Sequence, residues 1–275
     1  MASHQRSLAL VGAFDERVDS LVAPGAVGAG NIARAQQDLA ATAQRLVLRD
    51  RVLALVAAMD ATRAALLDLA EDHVFTLMPV WSGASPLQPT NFAHFLTGTI
   101  APLSRAAQRL HTAYEELDRS SLGAGALSGP GLPVDRDETA DLLGSEGPAA
   151  STFDALSAVD HLVAVGGATA AAVAPLRRLI EELLVWLRTD PQSIRLSDDL
   201  LATSDANLPH FRPPAALQRL VAAAHRVEDD AATIARLAHV VPYGPIGEQA
   251  DAAVKLAMAA LSRAATAHEA FAAMI

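Results

Sequence analysis

From Leu48 to His73 a single stripe of residues recurs at Leu48, Val52, Leu55, Met59, Thr62, Leu66, Leu69 and His73. The steps alternate between four and three, which places every member on one face of a helix in a bundle or coiled-coil seam. The pattern predicts a helix over about 31–78, closed by Pro79 and roughly 70 Å long at the usual rise per residue. A globular monomer of this size has no need of such a rod. Further helices are expected over about 91–119, with Pro102 as a kink, and over 151–188, opened by Ser151 and Asp154 at near capping-box spacing. Two more are expected over 214–240, with Pro214 as the first residue, and over 247–274. Residues 120–150 carry Gly123, Gly125, Gly129, Pro130, Gly131, Pro133, Gly144, Gly147 and Pro148. That composition predicts a loop with at most a short helix near 137–143. A polar loop spans 189–213, and Tyr243-Gly-Pro makes a turn.

The 151–188 segment repeats Leu156, Val159, Val163, Gly166, Ala170, Val173, Arg177, Ile180, Leu184 and Leu187. Small residues at its middle permit close approach of a neighbouring helix. This segment and the last one are apolar on more than one face, which predicts helix-mediated self-association. Residues 162–176 form the most apolar stretch, interrupted by Gly166, Gly167 and Pro175. The stretch falls short of the roughly 20 residues that span a bilayer, so it reads as a buried core helix. Asp15 and Glu16 break any signal-peptide pattern at the N-terminus. A cytoplasmic protein with no membrane partner is the expectation.

Composition sharpens the fold class. Alanine and leucine fill 98 of 275 positions and aromatics only 4%, so the chain reads as all-α, a long antiparallel bundle. It has no cysteine, which excludes disulfides, cysteine nucleophiles and thiolate metal sites. A net charge of −10, with Lys255 the single lysine, argues against a nucleic-acid partner.

Several segments resemble one family. Leu66-Leu-Asp-Leu-Ala-Glu-Asp-His73 with Met78-Pro79 is similar to the run preceding the Thr-His signature of argininosuccinate lyases. Ser121-Leu-Gly-Ala-Gly-Ala-Leu-Ser-Gly129 with Pro133-Val-Asp-Arg136 resembles their Leu-Gly-Ala-Gly-Ala-Leu-Ala-Gly…Pro-Ile-Asp-Arg segment. Phe153-Asp-Ala-Leu-Ser157 with Asp160 resembles Leu-Asp-Ala-Val-Ser-Asp-Arg-Asp. The resemblance runs over about 33–275 and implies the fumarase/aspartase superfamily. It further implies a homotetramer on a central 20-helix core, with each site shared by three subunits and a small-molecule substrate. Family members carry additional N- and C-terminal domains, so residues 1–30 are expected to be an extension and 31–275 the bundle domain.

The family's signatures are altered. Its Ser-Arg-Asn-Asp-Gln matches Ala35, Gln36, Gln37, Asp38 and Leu39, leaving the Asp alone. Its Tyr-Thr-His-Leu-Gln-x-Ala-Gln-Pro matches Trp81-Ser-Gly-Ala-Ser-Pro-Leu-Gln-Pro89. There Ser82 replaces the Thr and Gly83 the His, while Gln88 and Pro89 are kept. In the mobile loop, whose serine serves as the family's base, the two serine positions fall on Asp205 and Ala206. The lysine position falls on Phe211, beside Arg212.

A lyase needs a base for the proton beside a carboxylate, donors for the developing oxyanion and an acid for the leaving group. His210 is the best chemical substitute as base, with an ordered surface loop the alternative. Ser204 and Ser82 are secondary candidates, as oxyanion donors. Arg136 and Arg212 can each grip an anion through a planar fork. The alternative for Arg136 is an ion pair with Asp135, Asp137 or Glu138, and for Arg212 a solvated loop cation. Gln88, Trp81 and Tyr243 complete the candidate substrate-binding set, Tyr243 with a packing role as its alternative. Trp81, Phe92, Phe95 and Phe211 would make apolar pocket walls. His225 and Glu228, followed by Asp229 and Asp230, suggest either a metal or a solvated helix face; no metal and no cofactor are expected. Two functions compete. One is a divergent lyase-superfamily enzyme of specialised metabolism, with altered proton-transfer or elimination chemistry on a small, partly apolar, carboxylate-bearing substrate. The other is a helical pseudoenzyme that binds a ligand or a protein.

Overall fold

The computed structural model describes residues 16–17, 20–21, 35–82, 85–192, 194–203, 207–208, 210–240, 242–245 and 248–275. Its elements are α1 (Gln36–Asp72), β1 (Leu77–Ser82), β2 (Ser85–Asn91), α2 (Phe92–Leu117), α3 (Arg136–Leu142), α4 (Thr152–Ser157), α5 (Asp160–Thr189), α6 (Ala215–His239) and α7 (Glu248–Ala272). The five long helices close a ring: α1 packs on α2, α2 on α5, α5 on α6, α6 on α7, and α7 on α1. Helix α5 also reaches α7 across the middle.

The ring has two ends. The C-terminus of α1, the hairpin, the start of α2, the end of α5 and the start of α6 gather at the upper one. The start of α1, the end of α2, α3, α4 and the starts of α5 and α7 gather at the lower one. Helix α1 has 37 residues, so the ends lie roughly 55 Å apart.

The seam of α1 is as its spacing predicts: Leu48, Val52, Leu55, Met59, Thr62 and Leu66 are all buried. The helix is shorter than expected. His73 is its C-cap, and Leu77 and Met78 belong to β1. The hairpin was not foreseen, because Pro79, Pro86 and Pro89 lack the N–H that a ladder uses. The pairing sets Pro79 opposite Pro89, so neither partner needs a donor there.

The segment expected to be one helix over 151–188 is two. Helix α4 ends at Ser157, and α5 begins after Val159. Ser151 caps α4 as expected, its hydroxyl accepting from the Asp154 N–H at 3.3 Å. The break rotates the register. The buried face of α5 carries His161, Leu162, Val165, Thr169, Ala172, Val173 and Leu176, whereas Val163, Ala170 and Leu184 are only half-buried. By length and composition α5 could cross a bilayer; here that face packs inside the ring, as a core helix does.

Gly166 is the small residue that matters most. A Cβ built there would lie 3.4 Å from the Ile234 methyl groups of α6. Gly166→Leu should therefore overpack the α5–α6 contact within one chain, lowering stability by about 1–3 kcal/mol. A urea midpoint unchanged from wild type would refute this.

Deep in the ring, His268 of α7 ties three helices together. Its Nε2 lies 3.2 Å from the Ala172 carbonyl of α5, and its Nδ1 lies 3.0 Å from the Thr62 hydroxyl of α1. A carbonyl only accepts, so the proton resides on Nε2 and Nδ1 accepts from Thr62. Burial pushes the His268 pKa down to about 4, with the hydrogen bond to Ala172 opposing.

Candidate functional site

The candidate residues are divided between the two ends. At the upper end the hairpin carries Trp81, Ser82 and Gln88. A register shift between Val80 and Trp81 breaks the regular alternation there. Trp81 is half-buried, whereas Ser82 and Gln88 are exposed. Trp81 lines a cavity of about 350 Å³ with Met78, Phe92, Trp186, Asp190 and Ile194. An aromatic cluster backs this wall. Phe95 lies 4.7 Å from Trp186 between ring centroids, Phe92 lies 6.4 Å from Trp186, and His73 meets Phe92 edge-on at 5.3 Å.

Ile194 also borders a larger adjoining cavity of about 680 Å³, whose walls include Leu184, Arg188, Arg195, Leu201 and Arg212. Arg212 is held in place: its guanidinium donates to the Asp198 carboxylate at 2.7 Å and to the Asp198 carbonyl at 3.1 Å. Asp198 belongs to a 3-10 turn over Asp198–Leu200. His210 and Phe211 are exposed, and Phe211 lines neither cavity. Ser204, Asp205, Ala206 and Gly83 lie outside the described residues.

At the lower end, the one acidic residue kept from the first signature has a clear task. Asp38 is fully buried. Its Oδ1 accepts from the Ala35 N–H at 3.2 Å, and its Oδ2 accepts from the Gly125 N–H at 3.0 Å. Burial raises its pKa, opposed by backbone N–H groups led by that of Gly125. Asp38 thus ties the glycine-rich loop to the start of α1. Gly125 sits at φ +64°, and a Cβ there would lie 2.6 Å from the Gly129 carbonyl oxygen, so the loop requires glycine.

Arg136 opens α3. Its stem lies over Gly123, where a Cβ would come within 3.0 Å of its Cγ, and its guanidinium donates to the Ala149 carbonyl at 2.7 Å. Asp135 is the helix N-cap, accepting from the Glu138 N–H. The Arg136 Nε is buried and has no partner. Tyr243, beyond α6, is 88% exposed in the single chain.

Sequence reasoning missed a second polar cluster at this end. Arg45 is buried and donates to the Glu116 carbonyl at 2.8 Å, while a second nitrogen lies 3.5 Å from the His161 Nδ1. Arginine only donates, so His161 accepts and is neutral. Burial, reinforced by the Arg45 charge, pushes the His161 pKa down to about 3. Burial lowers the Arg45 pKa against the carboxylates of Asp160, Asp154 and Glu116. Burial also raises that of Glu116, and Asp160 adds to the effect. The buried periodicity of α5 was the one available signal for His161.

The His225–Glu228 pair proves to be a helix-face network. Glu228 accepts from Arg177 at 3.1 Å, His225 lies 3.5 Å from Glu228, and Arg263 pairs with Asp230. Among the described residues no three possible metal ligands converge.

A family described as “Lyase” matches residues 12–227. The argininosuccinate lyase of Natronomonas pharaonis is 36% identical over 197 residues, covering 72% of this chain and 40% of that protein. The argininosuccinate lyase of a Synechococcus species is 37% identical over 207 residues, covering 75% and 42%. The crystal structure of EDDS lyase in complex with formate superposes with a TM-score of 0.74 at 24% identity, covering 86% of this chain and 48% of that one. The chain thus spans about two fifths of the length of these curated relatives.

Proposed function

This chain belongs to the lyase family, within the fumarase/aspartase superfamily, and we propose that it performs an altered elimination on a small, partly apolar, carboxylate-bearing substrate. In this reading a base takes the proton beside the carboxylate, the C–N or C–O bond breaks, and an unsaturated acid leaves with an amine or water. The site is completed only where chains meet in a cytoplasmic homotetramer of the 31–275 bundle.

One observation carries the reading. Trp81, Ser82, Gln88, His210 and Arg212 sit at one end of the bundle, and Arg136 and Tyr243 sit at the other. A single ring does not unite them, whereas packing chains with opposite ends together would. Five long helices per chain supply the twenty of such a core. Exposed His210 is the base, Ser204 and Ser82 serve the oxyanion, and Arg212, held by Asp198, receives the carboxylate. From a neighbouring chain come Arg136 and the exposed ring of Tyr243.

True argininosuccinate cleavage is expected to be absent, because Gly83 and Ala206 lack the side chains on which that chemistry depends. Fumarate release from argininosuccinate at enzymatic rates, followed by absorbance, would contradict this. The positive test runs the reaction in reverse: fumarate with a panel of apolar amines, scored by mass spectrometry for N-substituted aspartates. His210→Ala should slow adduct formation by at least about 100-fold. No adduct with any amine would favour the non-catalytic alternative, a ligand- or protein-binding oligomer. The intrachain engagement of both Arg136 and Arg212 is the observation on that side.

A further inference from the structure

We propose that the cavity under the hairpin binds an organic ammonium group, the amine-bearing part of the ligand. The proposal deepens the elimination reading and takes its chemical meaning from it: the group held here would be the leaving amine, beside the carboxylate end at Arg212. As a binding site it stands on its own geometry.

The walls favour a cation over a merely apolar group. Trp81, Phe92 and Trp186 line about 350 Å³ together with Met78 and Ile194, and the acidic residue Asp190 belongs to the same lining. Aromatic faces are negative and attract an alkylammonium group, most strongly when the ring is indole and water is displaced. The Trp186 ring is fixed in a way that strengthens this. Its Nε1–H donates to the Glu182 carboxylate at 2.8 Å, and it packs on Phe95 at 4.7 Å. The indole N–H is therefore engaged and no longer offers an anion its donor. The neighbouring carboxylate also pushes electron density into the ring. The volume lies in the range of small-ligand pockets, and Ile194 lines both this cavity and the arginine-bearing one, so the ammonium and carboxylate sites would be neighbours.

The chain has two tryptophans, and both line this cavity, so intrinsic fluorescence reports its occupancy directly. The experiment titrates the full chain with choline and with 3,3-dimethyl-1-butanol, its uncharged isostere. Saturable emission change with choline, and affinity roughly five- to thirtyfold weaker for the neutral alcohol, is the expected result. Asp190→Asn should weaken choline several-fold while leaving the alcohol unchanged. Trp81→Leu should weaken choline by about tenfold, with Trp186 still reporting. Equal affinity for the two probes would reduce the site to an apolar pocket and overturn the proposal, and so would the absence of any emission change with both. Choline binding without amine addition to fumarate would keep this site and remove the elimination reading. Amine addition without choline binding would do the reverse.

Discussion

Acidification from pH 7 to pH 5 is expected to lower the unfolding free energy by about 4 kcal/mol, about 2 kcal/mol from each of His161 and His268. Both imidazoles are buried and neutral, with pKa values pushed down to about 3 and about 4. In the unfolded chain they titrate near 6.5. Below that value the unfolded state binds protons that the folded state refuses, so stability falls with falling pH. The loss begins as pH drops through about 6.5 and is complete only below the folded values. Asp38 and Glu116 act in the opposite sense, since their raised pKa values let the folded state take up protons first. Urea titrations across this range measure the slope. His161→Leu with His268→Met should flatten it by nearly two protons, whereas an unchanged slope would refute the assignment.

Asp38→Ala should destabilise the chain by about 3 kcal/mol, because it strands the buried Gly125 N–H and removes the acceptor of the half-buried Ala35 N–H. The damage should be local first. The segment from Gly123 to Gly129 contributes Ala124 and Leu127 to a small cluster with Ala41, Ala149, Ala155 and Leu156, and loses its tether to α1. Amide exchange at Gly125 should accelerate well before that at Leu55. Asp38→Asn, which keeps one accepting oxygen, should lose less. Full protection of Gly125 in the alanine variant would show that the loop holds itself.

The seam of α1 was legible because it is long, regular and faces one way. The register of α5 was not, because two residues between α4 and α5 reset it. The hairpin was hidden by its prolines, which mark a break in any scan for strands. Asp38 was recognisable as the one residue kept from its signature, and Arg136 through its Pro-Val-Asp-Arg segment, but neither role was readable. Both partners are backbone atoms, the Gly125 amide and the Ala149 carbonyl, which no side-chain spacing announces. Arg45 and His161 are 116 residues apart in the chain, and only folding brings them together. The upper cavity was half visible: Trp81 and Phe92 were expected as walls, while Trp186 and Asp190 read as the end of a helix.

A site built from opposite ends of different chains requires an oligomer, because the candidate residues of one ring lie at the two ends of a bundle whose longest helix has 37 residues. Light scattering on the purified protein at micromolar concentration tests it most directly. The account predicts a single species at four times the 28.6 kDa chain mass. A monodisperse species at one chain mass would contradict it.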